Sequence, residues 1–129
     1  MVIFESILVD TDILIKAYRG DKTKQINLKN LKDKYCISVI TSWELLNGAK
    51  NIHQRTEFNK AFRYYSVALV DEKISEIAFS LFKKYSFSNE MKISDAFIAA
   101  TAIKNDLFLY TDNKKHFEFI NNLTFYKER

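Results

Sequence analysis

Proline is absent from the 129 residues, and glycine occurs only at Gly20 and Gly48. A fold made of many tight turns draws on both, so helices joined by short polar loops are expected instead. Cysteine occurs once, as Cys36 within Tyr35-Cys36-Ile37-Ser38-Val39. A lone thiol supplies neither an intramolecular disulfide nor a thiolate metal site, and its apolar surroundings read as a buried strand in a reducing compartment. The only histidines, His53 and His116, lie in polar helical stretches, so no Ser–His or Cys–His pairing offers a nucleophile. No apolar run approaches a membrane span. The opening Met1-Val2-Ile3-Phe4-Glu5 lacks the basic region and long apolar stretch of a secretion signal. A cytoplasmic protein without a membrane partner is therefore expected. Charge of one sign is scarce too: twenty Lys and Arg against sixteen Asp and Glu leave +4, which permits a nucleic-acid partner without requiring one.

What is present is enough for one domain over residues 1–129. Hydrophobic residues make up 47% and aromatics 15%, so the chain can bury a core without disulfides. Strands are expected at 7–9, 36–40, 67–70, 107–110 and 123–126. Helices are expected at 13–19 with Asp12 as cap and Gly20 closing it, over the Lys-rich stretch 21–34 as an exposed element, and from a Thr41-Ser42-Trp43-Glu44 capping box to about 49. Further helices are expected at 53–65, after Asp71, from about Ser94, and at 114–119. The helix after Asp71 is the clearest, with Ile74, Ile77, Ala78, Leu81, Phe82 and Tyr85 at helical spacing. Short apolar strands alternating with helices imply an α/β fold of three layers, α/β/α, around a mostly parallel sheet.

In such sheets ligands bind beyond the carboxyl ends of the strands. Asp10, Glu44 and Asp112 follow strands there, and Asp95 lies in the first turn of a helix that could reach the same edge. Each acid alone has a plain reading as a cap or first-turn residue, and Asp12 and Asp71 are read as caps. Together they imply more, because carboxylates converging on one edge repel by roughly 4 kcal/mol per close pair at an effective dielectric of 20. A divalent cation relieves that repulsion. Hard oxygen donors without Cys and with few His point to Mg²⁺ or Mn²⁺ and to phosphoryl chemistry by activated water.

The run Ile7-Leu8-Val9-Asp10-Thr11-Asp12 resembles the opening of PIN domains. Ser42-Trp43-Glu44-Leu45 resembles their second motif, Ile93-Ser94-Asp95-Ala96-Phe97-Ile98-Ala99-Ala100 the third, and Tyr110-Thr111-Asp112-Asn113-Lys114-Lys115-His116-Phe117 the fourth. Order and spacing match over nearly the whole chain, and its length is similar to that of VapC-type toxins. The resemblance implies a metal-dependent endoribonuclease, active as a homodimer and silenced by a VapB-like antitoxin. It also implies that Asp10, Glu44 and Asp95 bind the metal and that Thr11 shapes the site. Two positions depart from the family pattern. Asp12 stands where Asn is commoner, and the fourth acid's usual place, two residues after Thr111, is Asn113. Either Asp112 takes the fourth role or three carboxylates and an amide serve. Lys114 and Lys115 follow that motif and are candidate contacts for RNA phosphates.

Two other classes share some of these features. Asp10-Thr11-Asp12 after a strand also opens haloacid-dehalogenase-like phosphatases, with Asp10 as nucleophile and Asp12 as acid/base. Leu14 stands where that family has Thr or Val, and Asp112-Asn113 gives half of its late acidic pair. A non-catalytic receiver-like module would want a late Lys where Thr111-Asp112 stands, and a degenerate PIN scaffold would not keep Asp10, Glu44 and Asp95. Finally, 19 aromatics exceed what a core of this size hides. Tyr18, Phe58, Phe62, Tyr64 and Tyr65 are expected to leave apolar surface for a second copy or a protein partner.

Overall fold

Alternation along the strands decides the architecture. In β1 (Ile7–Val9), Leu8 packs into one apolar cluster, while Ile7 and Val9 pack into another. The same split separates Cys36 from Ile37 in β2 (Tyr35–Ser38), and Leu109 from Tyr110 in β4 (Phe108–Tyr110). Successive strand side chains face opposite ways, so strands apolar at every position must be covered on both faces. A computed structural model describes residues 6–129; the reading of Met1 to Glu5 as free of a secretion signal lies outside the described residues. The described residues form a four-stranded parallel sheet in the order β3-β2-β1-β4, with β3 at Ser66–Ala68. The expected three-layer α/β arrangement is present.

On one face lie α5 (Glu72–Tyr85) and α6 (Ile93–Lys104), which bury Ile74, Ala78, Ile98, Ala99 and Ala102 against Leu8 and Leu109. The run of alanines in α6 lets its backbone sit close to the sheet. The other face is covered by α1 (Thr11–Tyr18) and α3 (Val39–Asn47), through Ile13, Leu14 and Leu45, with Phe58 of α4 (Ile52–Ala61) at its margin. Asp71 caps α5 as expected, its Oδ1 accepting from the Ile74 amide at 2.8 Å.

Several expectations are corrected. The cap of α1 is Asp10, whose carboxylate accepts from the Thr11 amide, so Asp12 lies inside the first turn. Helix α3 begins at Val39 and is capped by Ser38, which places Thr41 and Glu44 within the helix and leaves no capping box between them. The Lys-rich helix α2 (Lys22–Asn30) is not merely a solvated face, because Lys24 is 6% and Asn27 1% exposed. Asn27 Oδ1 accepts from the Tyr126 hydroxyl at 3.0 Å and from the Arg129 amide at 3.1 Å, tying down the C-terminal tail. That tail forms no full fifth strand: it meets β4 in a single bridge, Leu109 with Phe125, before Tyr126 turns toward Asn27. Helix α4 ends at Ala61, short of the expected residue 65, and the stretch expected as a helix at 114–119 is one 3-10 turn, Lys114–His116. Of the five aromatics expected at the surface, Tyr18 and Tyr64 are exposed, whereas Phe58, Phe62 and Tyr65 pack on the second cluster.

Gly20 closes α1 as expected, at φ +102°. Its amide bonds the Ala17 carbonyl at 3.1 Å and the Asp21 amide bonds the Lys16 carbonyl at 2.9 Å, the paired bonds of a Schellman ending. A Cβ there meets no atom within 4 Å, so the cost of adding one is conformational. Gly20→Ala should lower unfolding stability by about 1–2 kcal/mol without a change in m-value. Urea denaturation measures this, and an unchanged midpoint would contradict the assignment.

Candidate active site

Strands β1 and β4 pair in parallel with Val9 opposite Tyr110, so the residues that follow, Asp10 and Thr111, leave the sheet side by side at its carboxyl edge. Asp10 is 6% exposed. One carboxylate oxygen accepts from the Thr11 amide at 2.8 Å and the other from the Thr111 hydroxyl at 2.8 Å. The next residue along, Thr11, donates its hydroxyl to Glu44 Oε1 at 2.7 Å and stands 3.1 Å from the Thr41 hydroxyl. Neutral hydroxyls thus hold both the acid ending β1 and the acid on α3. Asp12, one residue into α1, accepts the Asp112 amide on Oδ2 at 3.0 Å, while its Oδ1 is buried without a partner. An unsatisfied buried carboxylate oxygen calls for an unseen donor or cation.

The electrostatics follow from this crowding. Burial pushes the Asp10 carboxyl up to about 7, the Asp12 charge adds to it, the Thr111 and Thr11 hydrogen bonds oppose it, and Asp95 adds again. Burial also raises Asp95 above the ordinary carboxylate value, with His116 and Lys92 opposing and Glu44 and Asp12 adding. Four carboxylates from β1, α1, α3 and α6 therefore feel one another. Among the described residues, no group of three or more His, Cys, Asp or Glu side chains is disposed to hold a metal ion by itself. Hard carboxylate oxygens are the donors that Mg²⁺ and Mn²⁺ favour.

The sequence pattern of the PIN domain family matches residues 7–120. The chain belongs to that family. It is 37% identical to Ribonuclease VapC1 of Methanocaldococcus jannaschii over 114 residues, covering 87% of this chain and 79% of that protein. It is 32% identical to Ribonuclease VapC10 of Mycobacterium tuberculosis, covering 91% of this chain and 90% of that protein. Among solved structures, a chain of a toxin–antitoxin complex from Klebsiella pneumoniae superposes with a TM-score of 0.79 at 31% identity, covering 96% of this chain and all of that one.

Within this PIN domain, Asp10, Glu44 and Asp95 are brought to one edge, and Thr11 and Thr111 hold two of them. Asp112 is placed differently. Its carboxylate is turned toward lysines, 2.6 Å from Lys16 Nζ and 3.0 Å from Lys24 Nζ. Burial opposes its ionisation, but hydrogen bonds from Lys16 and Lys24 outweigh it and hold the acid below its ordinary value. Asn113 is exposed, and its backbone amide bonds Thr111 Oγ1 at 3.0 Å. Lys114 and Lys115 are exposed, with Lys114 Nζ lying 5.9 Å from the centre of the Phe125 ring. Two neighbours of the cluster escape sequence reasoning. Asp12 has the residue type and position of a cap, and its place one residue past Thr11 at a helix start is the available signal for more. His116 stands 3.4 Å from Asp95 Oδ2, a contact between the 3-10 turn and α6 that no local pattern announces.

The raised pKa of Asp10 has a definite consequence for stability. The carboxyl ionises at 3.8 when unperturbed and about 7 when folded, so the folded state holds the proton more tightly. Asp10's contribution is greatest below the unfolded value and is lost as pH rises to about 7. Asp10→Asn should therefore stabilise the metal-free chain near about pH 8 by about 1–3 kcal/mol, the gain fading toward about pH 4. Urea midpoints across that range test it, and a pH-independent difference would contradict the buried-charge reading.

Proposed function

We propose that this PIN domain is a metal-dependent endoribonuclease that acts in the cytoplasm as the toxin of a toxin–antitoxin pair. The observation carrying the proposal is the buried Asp10, held by two hydrogen bonds and ringed by Asp12 and Asp95 at the carboxyl edge of the sheet. Mutually repelling acids kept in one place, with one buried oxygen unpartnered, support a cation as their partner. The names of the relatives, VapC1 and VapC10 ribonucleases, support RNA as the substrate.

Asp10, Asp95 and Glu44 would hold Mg²⁺ or Mn²⁺, with Asp12 close by. Bound there, the ion supplies Lewis acidity at a phosphate and a water of lowered pKa, enough for hydrolysis of a phosphodiester. The chain's own residues do the positioning. Thr11 and Thr111 donate to Glu44 and Asp10 and fix both acids at the edge. Asp112, already neutralised by Lys16 and Lys24, serves as a strut and not as the fourth ligand: its amide orients Asp12. Lys114 and Lys115 stand exposed beside His116 to meet flanking phosphates. A double Lys→Ala change at these positions should then flatten the salt dependence of RNA binding by about one log unit for each phosphate no longer neutralised. Affinity measured across a salt series checks this, and an unchanged slope would return both lysines to a solvated surface.

A homodimer and an antitoxin complete the proposal. Trp43 and Ile52 on the α3–α4 side, and Phe79, Phe87 and Ile93 around α5 and α6, are exposed apolar groups that a second copy or an antitoxin segment would cover. The toxin–antitoxin complex from Klebsiella pneumoniae supports the partner.

The test is cleavage of single-stranded RNA with Mg²⁺ or Mn²⁺. The wild-type chain should cut it, Asp95→Asn should lose activity by about a hundredfold or more with an unchanged circular dichroism spectrum, and a co-expressed neighbouring antitoxin should suppress it. Wild-type turnover in Asp95→Asn would overturn the site assignment, and hydrolysis of a phosphate monoester in place of RNA would favour the phosphatase reading.

A further inference from the structure

Of the lysines in α2, Lys22 and Lys29 are exposed, whereas Lys24 turns inward and is 6% exposed. Its backbone is fixed by the helix cap, the Lys24 amide donating to Asp21 Oδ1 at 3.2 Å. Stability is a poor reason for such a residue. A buried ammonium loses its water, and an apolar side chain of similar volume in its place is often as stable or more so. What the ammonium does, and an apolar group does not, is hold carboxylates in fixed places. Nζ donates to Asp112 Oδ1 at 3.1 Å and lies 3.0 Å from Asp112 Oδ2, so it grips both oxygens. It also donates to Glu128 Oε2 at 2.5 Å, and that same oxygen accepts the Tyr110 hydroxyl at 2.6 Å. The next residue along, Arg129, fixes this part of the tail, its amide donating to Asn27 Oδ1 at 3.1 Å.

Asp112 leads from this clamp to the carboxylate cluster. Its backbone amide donates to Asp12 Oδ2 at 3.0 Å, and Asp12 Oδ1 is the buried oxygen left without a partner. The residue before it, Thr111, donates its hydroxyl to Asp10, and the residue after it, Asn113, donates its amide to that same hydroxyl at 3.0 Å. Whatever fixes the Asp112 side chain therefore fixes the short loop that aims two of the carboxylates. We propose that Lys24 is a positioning residue of the metal site, held in place by Glu128, so that α2 and the tail set the affinity for an ion that neither of them ligates. The inference rests on the metal-site reading above and adds to it the part of the chain that orients Asp12. Removing an outer partner that orients a ligand typically lowers metal affinity by about ten- to a hundredfold. Charge alone works the other way. An ammonium beside a cation site repels the ion, so its removal tightens binding if charge is all that it supplies. An Asp112 carboxylate freed to join the ion would tighten binding too. The sign of the effect therefore separates positioning from charge.

The experiment is Mn²⁺ titration of the full chain, with free Mn²⁺ read by electron paramagnetic resonance and stability measured separately by urea denaturation. Lys24→Met should weaken Mn²⁺ binding by about tenfold, and Glu128→Gln by less in the same direction. Asp112→Ala should match Lys24→Met, and the double variant should lose no more than either single one, because both changes break one path. A role in folding alone would lower the urea midpoint and leave the Mn²⁺ affinity of the folded protein as it is. Unchanged or tighter binding in Lys24→Met, or losses that add in the double variant, would overturn the inference and leave the carboxylate site standing. Should Lys24→Met fail to fold, Glu128→Gln and Asp112→Ala decide: weaker binding in both supports the inference, and wild-type affinity in either overturns it. No Mn²⁺ bound by the wild type, or binding indifferent to Asp95→Asn, would overturn the metal-site reading itself and the inference with it.

Discussion

The parallel pairing of β1 with β4, Val9 opposite Tyr110, is the constraint on which the rest depends. Because these strands are neighbours and run the same way, the chain exits both at one edge, and Asp10 meets the Thr111 hydroxyl without either loop having to travel. The first turn of α1 begins in the same place, so the Asp10 carboxylate is also the helix cap and takes the Thr11 amide. One side chain thereby performs two tasks. It fixes where α1 starts, and it is buried by the elements that it joins. Burial, in turn, is the largest cause of its high pKa and of its response to any nearby charge.

Charge around that edge is handled differently on its two sides. Toward α2 and the tail, the acids are matched. Lys24, almost wholly buried, is 2.5 Å from Glu128 and 3.0 Å from Asp112, and Glu128 also accepts the Tyr110 hydroxyl at 2.6 Å. A buried ammonium without such partners would be strongly destabilising, so α2, the tail and the loop after β4 are bound to one another through it. Toward α3 and α6, no lysine closes on Asp10, Asp12 or Glu44 in an ion pair among the described residues. The acids of one flank are thus neutralised by lysines, and those of the other are left without a lysine partner among the described residues.

Much of this is legible in the residues, for identifiable reasons. Strands buried on both faces show as continuous apolar runs, so Ile7-Leu8-Val9 and Leu107-Phe108-Leu109-Tyr110 locate β1 and β4, and the acids just beyond them inherit their place. The amphipathic spacing of Ile74 to Tyr85 marks α5 with its Asp71 cap. Caps are harder where two candidates stand close together. Asp10 and Asp12 have the same chemistry, and only the geometry of the strand exit decides which one meets the free amides; Ser38 and Thr41 pose the same ambiguity for α3. What local pattern does not disclose are contacts between residues far apart in sequence. Asp112 has the chemistry of a ligand, yet Lys16 and Lys24, 96 and 88 positions away, claim its carboxylate. Likewise His116 has the surroundings of a solvated helix residue, and only the packing of its turn on α6 brings it to Asp95. Phe58, Phe62 and Tyr65 are expected at the surface, yet they pack on the second cluster, Phe58 from within α4 and Phe62 and Tyr65 from just beyond its end.

The acids at the sheet edge repel one another and, on the reading proposed above, are held for a divalent cation. Thermal unfolding of the wild-type chain and of Asp10→Asn, with and without Mn²⁺ at about pH 8, tests this most directly, since a ligand that binds only the folded state raises Tm in a concentration-dependent way. A saturable rise is predicted in the wild type and should be largely absent in Asp10→Asn. A wild-type Tm indifferent to Mn²⁺, or an equal rise in both proteins, would contradict it.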